Sequence, residues 1–207
     1  WIDSFTKKGQ LKEIPHTVDG YQIKVFDDPE MLDLEIQKKA KEKDSALSRV
    51  LATYDWEYSK RHKPEERTKK YWEVYVGKWH KPWNRELESE LTGKEKQNIK
   101  RLAWAEQPQT INEIGSTFTI QGFDLNYVGV ILGPSVKYRD GKIIFDPSES
   151  HNDKAIRNRT LSDGTKHKFG EKLIQHEVRV LMTRGVNGMY IYACDPELRA
   201  ALLKASE

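Results

Sequence analysis

The 207-residue sequence predicts an α/β fold, an open and mostly parallel sheet flanked by helices. Three observations carry that expectation. Strand-like apolar runs alternate with amphipathic helical ones, the order that builds a parallel sheet. Residues 127–132 (YVGVIL) are apolar on both faces, as a strand in the middle of such a sheet must be. Asp28-Pro29 and Asp195-Pro196 stand where a strand should give way to a helix, the aspartate as cap and the proline in the first helical turn.

Taken in order, residues 21–26 (YQIKVF) alternate and are rich in aromatic and β-branched types, which predicts a strand. A helix follows from Pro29. Leu32, Ile36 and Ala40 recur at a spacing of four, and Lys38, Lys39, Lys41 and Lys43 fill the last turns, where positive charge suits the helix dipole. Residues 47–54 (LSRVLATY) read as the second strand of a β-α-β unit. Periodicity then gives out over an irregular insertion, about 57–108, apart from a strand at 71–76. Strands are expected at 111–119 and 127–132, and Asp140-Gly141 between VKYR and KIIF predicts a two-residue hairpin over 136–145. Residues 147–168 hold almost no large apolar side chain and predict a mobile loop, basic through Lys154, Arg157, Arg159, Lys166 and Lys168. A helix over 169–184, a strand at 189–193 and a last helix on Leu198, Leu202 and Leu203 complete one domain, 1–207, with no internal repeat. Functional groups are expected beyond the C-terminal ends of the parallel strands.

Composition narrows the setting. The single Cys194 excludes an internal disulfide and points to the reducing cytoplasm. No apolar stretch approaches the length of a membrane span, so no membrane partner is expected. The chain begins at Trp1, which suggests a fragment. Charged residues make up 32% of it at a net charge of +3, so the surface is mixed in sign and charge alone names no nucleic-acid partner. A mean hydropathy of -0.80 points to long solvated segments between core elements.

Several chemistries lack their residues. The histidines never pair at i, i+3 or i, i+4 and no second cysteine exists, so no metal ligand set is expected. The Gly-x-x-x-x-Gly-Lys-Ser/Thr phosphate loop and the Gly-x-Ser-x-Gly elbow are both absent, so the chain alone should not bind a nucleoside triphosphate tightly.

Two stretches remain, STFTIQGFD (116–124) and EVRVLMTRG (177–185). Together they resemble the fifth and sixth motifs of superfamily 1 helicases. The run TIQGFDLNYVGVILGPS followed by RVLMTRG resembles in particular the Schlafen group 3-type DNA/RNA helicase domain family, formerly a domain of unknown function. That resemblance implies a RecA-like P-loop NTPase second lobe, the C-terminal motor lobe of an ATP-dependent helicase or translocase. It implies ATP with magnesium in the intact parent protein, held largely by an N-terminal RecA-like lobe, with single-stranded DNA or RNA as the other partner, and an isolated chain inactive as an ATPase. By the same resemblance Arg184 is the catalytic arginine finger, and Gln121, Gly122, Asp124 and Thr183 border the nucleotide. Ser116, Thr117 and Thr119 approach the nucleic-acid backbone, with Phe118 where the family usually has histidine.

Blander readings stand beside these. Arg184 alone is a helix-end arginine on the dipole, Gly122 a turn residue and Asp124 a local cap. In the insertion Trp72, Tyr75, Trp79 and Trp83 interleave with Lys78, His80, Lys81 and Arg85, a pattern that suits base stacking. Burial against the main sheet explains tryptophans equally well. A second hypothesis is a non-motor nucleic-acid-binding or protein-interaction module that keeps the same fold.

Overall fold

The computed structural model describes residues 1–65, 69–153, 159–160, 164 and 166–207, with backbone alone at 159, 160, 166 and 167. Its helices are α1 (Ile2–Lys8), α2 (Pro29–Lys41), α3 (Gly93–Ile99), α4 (Gly170–Met182) and α5 (Pro196–Ala205). The central sheet runs in the order β1 (Thr17–Val18), β2 (Tyr21–Val25), β11 (Gly185–Ala193), β6 (Leu125–Leu132), β3 (Arg49–Ala52). All neighbours in it are parallel except β1 on β2. Among the described residues three antiparallel strand pairs lie outside it: β4 (Glu73–Val76) with β5 (Trp79–Pro82), β7 (Val136–Arg139) with β8 (Lys142–Phe145), and β9 (Arg159–Thr160) with β10 (Lys166–His167).

Alternation along the strands makes three layers. On one face Leu32 and Ile36 of α2 join Val50, Ala52, Ile131, Tyr190, Tyr192 and the insertion's Trp83. On the other, Phe5 of α1, Ile174 and Val178 of α4, and Leu198 and Leu202 of α5 pack on Leu51, Val128, Val130 and Ile191. Both aspartate caps form, Asp28 accepting from the Glu30 amide at 2.9 Å and Asp195 from the Leu198 amide at 2.9 Å. The β7–β8 turn has the positive φ values of its type, 50° at Asp140 and 77° at Gly141. Strands β2 and β3 are parallel but do not pair, because β11 and β6 lie between them.

The sequence reading is corrected at three places. Residues 111–119 are not a strand. Pro108–Asn112 is a 3-10 helix, and beyond it Ile114 and Gly115 make only isolated bridges, to Trp83 and Leu51. The Ser116 amide donates to Thr119 Oγ1 at 2.8 Å, so side chains supply the turn that the β-branched composition concealed. Within the insertion, β5 and α3 were not anticipated; Thr92 and Glu95 form a reciprocal capping box on α3, a signal present in the sequence as TGKE. In the predicted loop 147–168, Pro147–Glu149 is a 3-10 turn and β9 pairs with β10, while Lys154 and Arg157 lie outside the described residues. Among the described residues no helix is long and apolar enough to cross a membrane.

Candidate functional site

The two motif stretches meet at the centre of the sheet because β6 and β11 are neighbours. Leu125 pairs with Gly185, and the Leu125 amide donates to the Arg184 carbonyl at 2.8 Å. Just before β6, Ile120 is fully buried, the Phe123 amide donates back to its carbonyl at 3.1 Å, and Gly122 turns the chain at φ 68°. Nothing lies within 4 Å of where a Gly122 Cβ would stand, so backbone conformation rather than space favours glycine there. Gln121, Gly122 and Asp124 are exposed.

Across the strand pair, α4 ends at Met182, and the Thr183 hydroxyl donates to the Arg179 carbonyl at 2.9 Å. Arg184 Nε donates to the Val180 carbonyl at 3.0 Å and Nη2 to Thr183 Oγ1 at 3.4 Å, while Nη1 lies 3.2 Å from Asp124 Oδ1. The guanidinium is thereby oriented by its own helix end and aimed at the turn before β6. One residue on, β11 carries a bulge between Gly185 and Gly188 that re-aims the strand beside the site. All these groups precede their strands. The expectation of functional groups beyond the C-terminal strand ends is therefore corrected for Gln121, Gly122, Asp124 and Arg184, which sit at the N-terminal edge.

The candidate nucleic-acid residues separate. Ser116 is fully buried, its hydroxyl donating to Asn84 Oδ1 at 2.6 Å, and Thr119 Oγ1 donates back to the Ser116 carbonyl at 3.0 Å. Those hydroxyls build the turn. Thr117 and Trp79 are half-buried, and Phe118 is 49% exposed with its ring edge-on to Tyr54 at 5.2 Å. Trp83 is fully buried against Tyr54, Trp56 and Tyr58, with Nε1 donating to the Glu57 carbonyl at 3.1 Å. It has no free face for a base, which corrects its assignment to a stacking platform.

The opposite edge holds a cluster that sequence reasoning missed. Asp55, just past β3, accepts from the Thr53 hydroxyl and the Ser135 amide, each at 2.9 Å through Oδ2. Its Oδ1 is buried without a hydrogen-bond partner among the described residues. Glu177 projects from the buried side of α4 and accepts from the Tyr54 amide at 2.8 Å. Burial first and the Asp55 charge second push the Glu177 carboxyl up to about 8; burial raises Asp55 as well. The pair is built to hold a proton. Burial, with Asp55 nearby, also pushes the Cys194 thiol up to about 12, away from its thiolate form. The available signal was a glutamate on the apolar stripe of α4 and an aspartate directly after a buried strand.

These features define a class: a mixed α/β domain, its mostly parallel sheet between helical layers, that gathers a Gln-Gly-Phe-Asp turn and a Thr-Arg helix end on two central strands. The chain belongs to the Schlafen group 3 DNA/RNA helicase domain family, whose sequence model matches residues 1–195. It is 34% identical over 208 residues to an uncharacterized protein of Saccharomyces cerevisiae (strain ATCC 204508 / S288c), a match that covers 100% of this chain. The chain spans 42% of that protein's length. No solved structure matches.

Proposed function

We propose that the chain is the C-terminal, RecA-like motor lobe of an ATP-dependent superfamily 1-type helicase or translocase acting on single-stranded DNA or RNA. The observation that carries this is the three-point anchoring of Arg184 beside the Gln121-to-Asp124 turn. The fit to a nucleotide is half a site. Arg184 Nη1 already accommodates an oxyanion, the Asp124 carboxylate, and the Gly122 turn is open to solvent. No phosphate loop is present in the sequence, so the phosphates and magnesium belong to an N-terminal RecA-like lobe of the parent protein. ATP with magnesium supplies the phosphoryl group that water takes. This chain's part would be electrostatic: Arg184 would stabilise the charge on the phosphoryl group and the bridging oxygen as the bond to the leaving nucleoside diphosphate breaks and water takes the group, an effect of about 10³ to 10⁵ in rate for such arginines. Thr183 fixes the guanidinium, Asp124 aligns it, and Gln121 and Gly122 border the nucleotide. With one cysteine and no internal disulfide, the protein suits the reducing cytoplasm.

In the full-length protein, Arg184→Ala should lower nucleic-acid-stimulated ATP hydrolysis by about 10³ or more while nucleotide binding is retained. Chain 1–207 alone should show no hydrolysis. Unchanged turnover in the variant would remove Arg184 from catalysis and favour the non-motor binding module.

A further inference from the structure

On the insertion side, the segment before β4, strand β4 itself, and His151 with Asp153 line a solvent-open cavity of about 770 Å³, none of whose lining residues belongs to the Arg184 site. Four of its walls are aromatic: Tyr58, Tyr71, Trp72 and Tyr75. They are firmly held. The Trp72 amide donates to Glu86 Oε2 at 3.3 Å and its indole nitrogen to the His62 carbonyl at 2.9 Å. On β4 the fully buried Val74 points inward, so Tyr75 points outward and stays 58% exposed, its carbonyl accepting from Trp56 Nε1 at 3.1 Å.

The charge pattern selects among ligands. Lys69 Nζ stands 5.6 Å from the Tyr75 ring and Lys70 Nζ 5.1 Å from the Tyr71 ring, so a further cation is disfavoured and one face of each ring is taken, which leaves Trp72 and the opposite ring faces for a flat ligand. Glu57, Glu65, Glu73 and Asp153 also line the cavity against two lysines, Lys63 and Lys69, and oppose a phosphate inside it. A neutral planar group meets neither penalty. Outside, Lys60 and Arg61 are exposed next to the lining residues along the chain. The volume falls in the range of small-molecule sites, enough for a base with its sugar.

We infer that this cavity receives an unpaired base of a single-stranded nucleic acid, stacked on the Tyr71, Trp72 and Tyr75 walls, while the adjacent Lys60 and Arg61 meet its phosphates. This rests on the nucleic-acid half of the proposed function and not on the ATP half. Stacking is sequence-tolerant, since every base offers a π face.

Binding of fluorescein-labelled single strands of about 15 nucleotides to the full chain, followed by anisotropy over a salt series, tests it. Tyr75→Ala should weaken binding about tenfold without altering the salt slope, because stacking releases no counterion, and Tyr75→Phe should restore it. Lys60→Ala with Arg61→Ala should instead flatten the slope by about one unit or more. Tyr71→Ala is the second aromatic variant, and circular dichroism melting confirms that each is folded. If both alanine variants bind like the parent chain, the cavity is not the base site, whereas the nucleic-acid reading survives. Competition by free nucleoside monophosphate at strand-like affinity would also overturn it, pointing to a mononucleotide ligand. Failure of the parent chain to bind any single strand at low salt would overturn both.

Discussion

Arg184 has each guanidinium nitrogen engaged, yet only one contact crosses between the two motifs, the 3.2 Å approach to Asp124. Asp124 is 63% exposed at its side chain, so solvent screens the pair and its contribution to folding is small. Its contribution to alignment is separate. Asp124→Asn should leave the thermal midpoint essentially unchanged, within about 0.5 kcal/mol. On the proposed function it should lower stimulated ATP turnover about tenfold, equivalent to about 1.4 kcal/mol at the transition state. A drop in melting temperature matching the loss of activity would show a structural role instead. At this scale the sequence was legible where residues act near their own backbone, as at Gly122, Asp28 and Asp195. It was illegible where partners are remote: Trp83 looks like an exposed aromatic among lysines, and only the fold shows it buried beneath Tyr54 and Trp56.

Strand β6 shows how an element can be readable in outline and not in placement. Its both-sided apolar run marks a central strand, and it pairs with β11 on one side and β3 on the other. Its Gly129 answers to α2, since a Cβ there would lie 2.6 Å from Leu32 Cδ2 and 2.9 Å from Ile36 Cγ1. The helix can approach only because that methyl is missing. Gly129→Ala should cost about 1 to 3 kcal/mol by overpacking, measured as a lower urea midpoint at unchanged m-value. A neutral outcome would mean that α2 shifts freely over the sheet. The β7–β8 hairpin was legible because a two-residue turn is a local requirement. The false strand at 111–119 arose because propensity cannot register that Ser116 and Thr119 bond their own backbone.

At the scale of the whole molecule, the sheet separates two kinds of chemistry, with the arginine site at one edge and the Asp55–Glu177 pair at the other. The pair couples folding to pH. Glu177 is raised from 4.5 to about 8 in the folded protein, so its contribution is fully present below about 4.5 and is lost as pH rises through 8. Stability should fall by a few kcal/mol, on the scale of about 1.4 per pKa unit, between about pH 5 and pH 8.5. Glu177→Gln, which keeps an acceptor for the Tyr54 amide, should flatten that curve in denaturant titrations. An equally steep fall in the variant would assign the proton elsewhere. The succession β2, α2, β3, β6, the β7–β8 hairpin, α4, β11 and α5 could be read from the chain, but the meeting of residue 55 with residue 177 depends on which strands become neighbours, and no local pattern encodes that.

Helix α4 joins the two edges. Glu177 and Arg184 are separated by roughly two turns, about 10 Å along the axis. The helix therefore carries a buried acidic seat midway along its length and, just past its C-terminal end, the guanidinium. The carboxyl and the arginine are thus fastened to one short rigid element, so the two edges of the sheet share a single support.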